Sequence, residues 1–282
     1  MSRRIMDILK KASSRFPSAC QGFTATRCKS QEYGFIGNYD SWESAQQQSS
    51  GYDSSLILER TTAACLKVRS GEAAYERDSV IFDEIQYAWP LLAGLMWIAA
   101  VSKGRLNVLD FGGALGTTYY QNRQFLRGLS SLRWNIVEQP LYVERGRALF
   151  ENDILRFYDS IQECLQQTSP QVMLLSAVLQ YLKDPYGLLH EIFQHPFAFV
   201  LIDRTPFQDK PTDRLCVQRV RPDIFDASYP AWIFSITKFR SVLSHREIIS
   251  EFTSFESGDR YGVEFKGFII SERTAIRSEK LR

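Results

Sequence analysis

The sequence predicts an α/β fold: a Rossmann-like, doubly wound, mostly parallel seven-stranded sheet with an antiparallel C-terminal strand and a helical N-terminal extension. Three observations predict it. Short apolar runs and helical stretches alternate from Asn107 onward, a pattern that implies right-handed crossovers and a parallel sheet. A glycine-rich turn follows the first of these runs. With 282 residues, 44% of them hydrophobic and 23% charged, the chain has enough apolar material for one large core plus an extension.

At the N-terminus, residues 3–16 place Ile5, Ile8, Leu9 and Phe16 at helical spacing among Arg3, Arg4, Lys10, Lys11 and Arg15. This basic amphipathic helix either packs on its own domain or touches an anionic membrane surface or a partner. Residues 20–53 are rich in Ser, Gln, Gly and aromatics, and Ser41 is expected to cap a short helix from Trp42. Ser54–Arg69 and Ser79–Val101 both read as helices, the second kinked or divided at Pro90. Leu91–Val101 is the most apolar run, yet it is shorter than the roughly 20 residues that span a bilayer. It is expected to be a buried helix. The domain organisation that follows is residues 1–102 as a cap or acceptor side, 103–275 as the main domain and 276–282 as a tail.

Strands are expected at Asn107–Phe111, Arg133–Val137, Leu155–Tyr158, Val172–Ser176 and Phe197–Asp203. Helices fall between them, at Thr117–Leu129, Leu141–Phe150, Ser160–Gln167 and Pro185–Gln194. The tail reads as a helix near Ser244–Glu251 and antiparallel strands at Phe252–Glu256 and Glu264–Ser271. Five scattered cysteines without a C-x-x-C pair read as reduced cytosolic thiols rather than a zinc site. A net charge of +2 implies no field suited to nucleic acid. No apolar leader precedes Phe16, so a cytoplasmic location is expected, with peripheral contact at the inner membrane face through the basic helix.

Ligands of open α/β sheets bind beyond the carboxyl ends of the strands, so the residues just after each strand carry the chemistry. After the first strand come Asp110 and the turn of Gly112, Gly113 and Gly116, where backbone can approach a ligand and a helix N-terminus offers free N–H groups. The acid at the strand end suits a ligand bearing hydroxyls and a positive charge, which points to S-adenosylmethionine (SAM) before NAD. Glu138, after the second strand, is placed to accept hydrogen bonds from ribose hydroxyls. Asp159, after the third, either faces an adenine edge or caps the next helix. The loop Ser176–Pro185 after the fourth strand faces the same cleft, with Gln180 or Tyr181 able to touch reacting groups, or with Val178, Leu179 and Tyr181 only packing the next helix. Asp203, at the end of the fifth strand, is a candidate general base or a structural partner of Arg204 or Arg221. His245 is a second base candidate. Tyr229-Pro-Ala-Trp-Ile-Phe234 is expected to stack on sugar rings or to form a hydrophobic lid. No metal site is expected.

Asp110-Phe-Gly-Gly-Ala-Leu-Gly116, Glu138 and Ser176-Ala-Val-Leu-Gln-Tyr-Leu-Lys-Asp-Pro185 resemble the signature blocks of class I SAM-dependent methyltransferases. From about Gly34 onward the chain is similar to a bacterial methyltransferase family associated with surface-polysaccharide clusters. The resemblance also rests on Gly37-Asn-Tyr-Asp-Ser-Trp42, Tyr75-Glu-Arg-Asp-Ser79, Asp203-Arg-Thr205 and Tyr229-Pro-Ala-Trp232. It implies SAM as cofactor, with Asp110 near the ammonium group and Glu138 on ribose. It also implies methyl transfer, the acceptor being a small molecule or a glycan hydroxyl. One departure stands out: Ala114 replaces the middle glycine of the usual acid-x-Gly-x-Gly-x-Gly loop. The altered loop leaves a non-catalytic binding subunit of a glycan-assembly system as the alternative. An NAD-dependent sugar oxidoreductase is disfavoured by the loop spacing and by the lack of a Tyr-x-x-x-Lys pair.

Overall fold

The computed structural model describes residues 33–51, 54–221, 227–256 and 262–272. The basic segment 3–16, Cys20 and Cys28 lie outside them. In chain order the elements are β1 (Gly34–Ile36), α1 (Trp42–Gln47), α2 (Ser54–Ser70), β2 (Tyr75–Arg77), β3 (Val80–Phe82), α3 (Trp89–Val101), β4 (Arg105–Phe111), α4 (Thr117–Leu126), β5 (Ser131–Val137), α5 (Pro140–Leu149), β6 (Leu155–Tyr158), α6 (Ile161–Gln167), β7 (Val172–Ser176), a 3₁₀ turn (Leu179–Tyr181), α7 (Pro185–Ile192), β8 (Phe199–Gln208), β9 (Arg214–Arg219), β10 (Ser228–Ser235), α8 (Ile236–Val242), β11 (Glu247–Thr253) and β12 (Glu264–Ser271).

The seven-stranded sheet is present, in the order β6-β5-β4-β7-β8-β12-β11. Strands β4 to β8 run parallel, and β12 pairs antiparallel with both β8 and β11. The central strands carry near-continuous apolar runs because helices cover both faces. One face holds Leu58, Leu91, Leu95, Ile98, Tyr120 and Val143, drawn from α2 to α5. The other holds Ile161, Leu189, Ile192, Ile236 and Phe239, from α6, α7 and α8. Residues 54–101 thus share a core with the sheet. Gly146 shows how close this packing is: an added Cβ would stand 2.4 Å from the Phe157 ring.

Three further strands extend the sheet to ten. Antiparallel β1, β9 and β10 form a blade, joined to β8 through the parallel pairs Phe234–Phe207 and Ser235–Gln208. Strand β7 pairs with the first half of β8, from Phe199 to Asp203. On that side of β8, residues 204–206 lie between the β7 and β10 ladders, and the 177–182 loop enters there: Gln180 Nε2 donates to the Arg204 carbonyl at 3.2 Å.

Several expectations are corrected. The Ser79–Val101 segment is not one helix, because Val80–Phe82 pairs with Tyr75–Arg77 as a hairpin. Pro90 sits in the first turn of α3, where its missing N–H costs nothing, so it starts the helix rather than kinking it. The tail helix is Ile236–Val242, capped by the Ser235 hydroxyl, and Glu247–Glu251 is strand instead. Tyr229–Phe234 is not a loop lid. It lies within β10, where Pro230 and Ala231 oppose Val217 and Cys216. Ser41 does cap α1, receiving the Ser44 N–H at 3.1 Å. No described helix is long and apolar enough to cross a membrane.

Candidate functional site

The site is built where β4, β5 and β7 end and where β8, which continues to Gln208 rather than stopping at Asp203, leaves its pairing with β7. Asp110 is 1% exposed, and its Oδ2 accepts the indole Nε1–H of Trp134, on β5, at 2.9 Å. Burial pushes its carboxyl up to about 7, with the Trp134 N–H opposing, the Glu138 charge adding to the rise and Arg204 opposing it. The turn then folds back over this acid. An added Cβ on Gly113 would lie 2.6 Å from the Asp110 carboxylate, and the Gly112 N–H bonds the Val137 carbonyl at 2.9 Å. Gly112 and Gly116 take left-handed conformations (φ +72° and +98°), and Gly116 caps α4. Ala114, the departure from the usual glycine, adopts the same left-handed region at φ +49°. The turn therefore holds an alanine in a conformation that strains it.

Glu138 stands half-buried on the other side of the loop. Its carboxylate accepts the Gln139 N–H at 2.6 Å and faces the Ala114 N–H. Burial raises its pKa, and the two N–H groups oppose the rise. Val178 leans on Gly112, with its Cγ2 2.6 Å from where a Cβ would be.

Asp203 is 1% exposed; the Ser254 hydroxyl donates to its Oδ1 at 2.6 Å, while its Oδ2 has no hydrogen-bond partner among the described residues. Burial raises its pKa as well, with the Ser254 hydrogen bond opposing. Arg204 does not pair with Asp203 as an ion bridge. Its guanidinium bonds Glu256 at 3.1 Å and the Ser176 hydroxyl at 3.3 Å, so Ser176 is engaged in holding an arginine. Asp78 at the β2–β3 tip, Tyr75 and Asp203 also act electrostatically on Arg204. The hairpin is tied to the start of α4 by the buried Glu76, which accepts from Thr117 Oγ1 and from the Ser79 N–H.

Six non-glycine residues among those described have positive φ. Five of them stand around this edge: Asp78, Ser79, Ala114 and Ala177 on loops and tips, and Arg204 within β8 where its pairing with β7 stops. Such strain concentrates where a site fixes its geometry, and here it coincides with the buried acids.

Two expected residues lie elsewhere. His245 is exposed and packs edge-on against Phe193, beside the start of β8, so it is at the opposite end of the strands from Asp203. It is no base for this site. Asp159 is 48% exposed and paired with Arg147 at 3.3 Å, beside the outer edge strand β6; the helix cap there is Ser160. Sequence reasoning passed over Trp134, Glu76, Arg77 and Ser254. Of these only Arg77 and Glu76 carried a signal, as part of the Tyr75–Ser79 block.

No family model matches the chain, and no curated protein matches it. Solved structures with a similar fold include the N-terminal domain of EvdMO1 with S-adenosylhomocysteine (SAH) bound. It is 12% identical, with 73% of this chain and 95% of that one covered and a TM-score of 0.46. A SAM-dependent methyltransferase of Leishmania major is 12% identical over 88% of this chain and all of its own, with a TM-score of 0.45. The mitomycin 7-O-methyltransferase MmcR is 17% identical over 64% of this chain and 53% of its own, with a TM-score of 0.40.

Proposed function

We propose that this protein is a SAM-dependent methyltransferase that methylates an oxygen, the acceptor being a sugar or glycan hydroxyl of polysaccharide biosynthesis. The observation that carries the reading is the pair Asp110 and Glu138, two carboxylates with raised pKa values on either side of a glycine turn. Acids held this way in poorly solvated surroundings favour a cationic, hydroxyl-bearing ligand between strand ends. Side chains at 112 and 113 would collide with Val178 and Asp110, so only glycine lets the turn lie this close over the acid. Glu138 would hold the ribose hydroxyls. Asp110, being buried, would fix the turn and supply negative potential towards the ammonium group. Ser176, which receives the Arg204 guanidinium, would flank the methionine end.

When bound, SAM supplies an electrophilic sulfonium methyl that passes to the acceptor oxygen as the carbon–sulfur bond breaks and SAH is released. Asp203 Oδ2 would take the hydroxyl proton, and Ser254 would keep the carboxylate oriented through Oδ1. The rest is alignment of the acceptor by the walls of the cleft. The work would take place in the cytoplasm, with the basic N-terminal segment available for the inner membrane face.

A second reading, a non-catalytic binding subunit, is favoured by Val178 against Gly112 and by the strained Ala114. Calorimetric titration with SAM and SAH tests both. Saturable binding, with loss of a methyl increment from surface glycans in a deletion strain, is expected. Absence of heat together with an unchanged melting temperature overturns the methyltransferase reading, and binding without any change in the glycans favours the subunit.

A further inference from the structure

Six buried side-chain polar atoms lack a hydrogen-bond partner among the described residues, and three of them belong to elements that meet around Arg204: Arg77 Nη1, Gln180 Oε1 and Asp203 Oδ2. Their elements are tied together through Arg204. Asp203 precedes it, Gln180 Nε2 donates to its carbonyl, and Glu256, which binds its guanidinium, follows the Phe255 ring on which Arg77 rests. The Arg77 guanidinium lies 5.0 Å from the Phe255 centroid and 5.4 Å from that of Phe82. No carboxylate bridges to it among the described residues. Rings on two sides strip water from a cation and strengthen whatever oxyanion it meets. Arg77 also sits at the base of the Asp78–Ser79 turn, whose two left-handed residues fix its direction. The unmet capacity is therefore one cationic donor and two acceptors.

Building on the methyltransferase reading, we propose that the acceptor is an acidic sugar, a uronate or a sugar phosphate: Arg77 Nη1 binds its oxyanion, while Gln180 Oε1 and Asp203 Oδ2 accept from its hydroxyls. A neutral sugar would leave the arginine donor buried and unpaired, which is the arrangement that gives a polar site its selectivity.

The test uses the full chain with SAH present and three probes: methyl glucuronide, glucose 1-phosphate and neutral methyl glucoside, each titrated by saturation-transfer NMR. At least one acidic probe is expected to bind about tenfold or more tightly than the glucoside, as loss of a charged hydrogen bond implies. Which acidic probe wins assigns the oxyanion to a carboxylate or a phosphate. R77M is expected to reduce that preference to about twofold or less while leaving SAH affinity within about twofold. R77K, which keeps stem and charge but not the planar fork, should fall between and guards against loss of folding in R77M. Equal binding of all three probes, or no binding of any, overturns the proposal while leaving the methyltransferase reading in place. So does an R77M variant that loses SAH affinity by a similar factor, since the arginine would then serve the cofactor's carboxylate. A wild-type chain that binds no SAH removes the methyltransferase reading itself, and this inference with it.

Discussion

The indole of Trp134 donates to the Asp110 carboxylate at 2.9 Å, joining the end of β4 to the middle of β5 beneath the glycine turn. Both groups are buried, so the bond cannot be replaced by water. Trp134→Phe keeps most of the ring and removes the donor. It should cost about 1–3 kcal/mol of stability, since a buried charged acceptor is left unmet. Urea unfolding at pH 8, where Asp110 is ionised, is the measurement; a loss under a few tenths of a kcal/mol would refute the structural role of the pair.

The raised Asp110 pKa carries a sign. Its carboxyl titrates near 7 in the fold against 3.8 in the unfolded chain. Below about pH 4 both states are protonated, so folding is unaffected by this group. As pH climbs to about 7 the unfolded chain sheds its proton first, and stability falls by an amount on the order of 4 kcal/mol. Asp110→Asn retains an oxygen for Trp134 but no charge, so it should gain on the wild type between pH 5 and pH 8. Parallel denaturation curves at the two pH values decide it, and a constant gap would rule the linkage out.

The glycine turn predicts two opposite outcomes from neighbouring changes. Ala114→Gly relieves a left-handed alanine and should stabilise the chain by about 0.5–1 kcal/mol, the excess of strain relief over added unfolded-state freedom. Gly113→Ala drives a methyl onto the Asp110 carboxylate and should cost about 1–3 kcal/mol. Melting temperatures should move in opposite directions, and SAH affinity should survive only the first change.

The two base candidates separate cleanly. Asp203→Asn should lower turnover by about 10²–10⁴-fold with SAH binding retained, whereas His245→Ala should leave turnover within about twofold. Equal losses in the two variants would contradict the placement of the base.

The parallel half of the molecule was legible because the central stretches of β4 to β8 are buried on both faces and therefore mostly apolar, with helical spacing between them. The blade was not. Strand β9 lies in a stretch of alternating charges, and Pro230 in β10 argues against a paired strand, yet β10 accommodates it opposite Val217. The Val80–Phe82 strand was hidden because three residues are too few for a period, and its turn uses Asp78 and Ser79 where glycine or asparagine would have signalled it. At the site, Asp110 and Glu138 could be found from their places at strand ends, and Asp203 from the point where the apolar run of β8 stops, although the strand continues to Gln208. Trp134 and Ser254 could not, since each meets its partner across long stretches of chain.

Strand β8 serves one neighbour along its first half and another at its tip. Successive side chains point to opposite sides, so deleting one residue between Asp203 and Phe207 would invert every position beyond the cut. The blade would then present its lining outward, while the ladder from Phe199 to Asp203 stayed in step. This short span is thus the gauge that aligns two walls of the cleft, and its length tolerates less change than its composition.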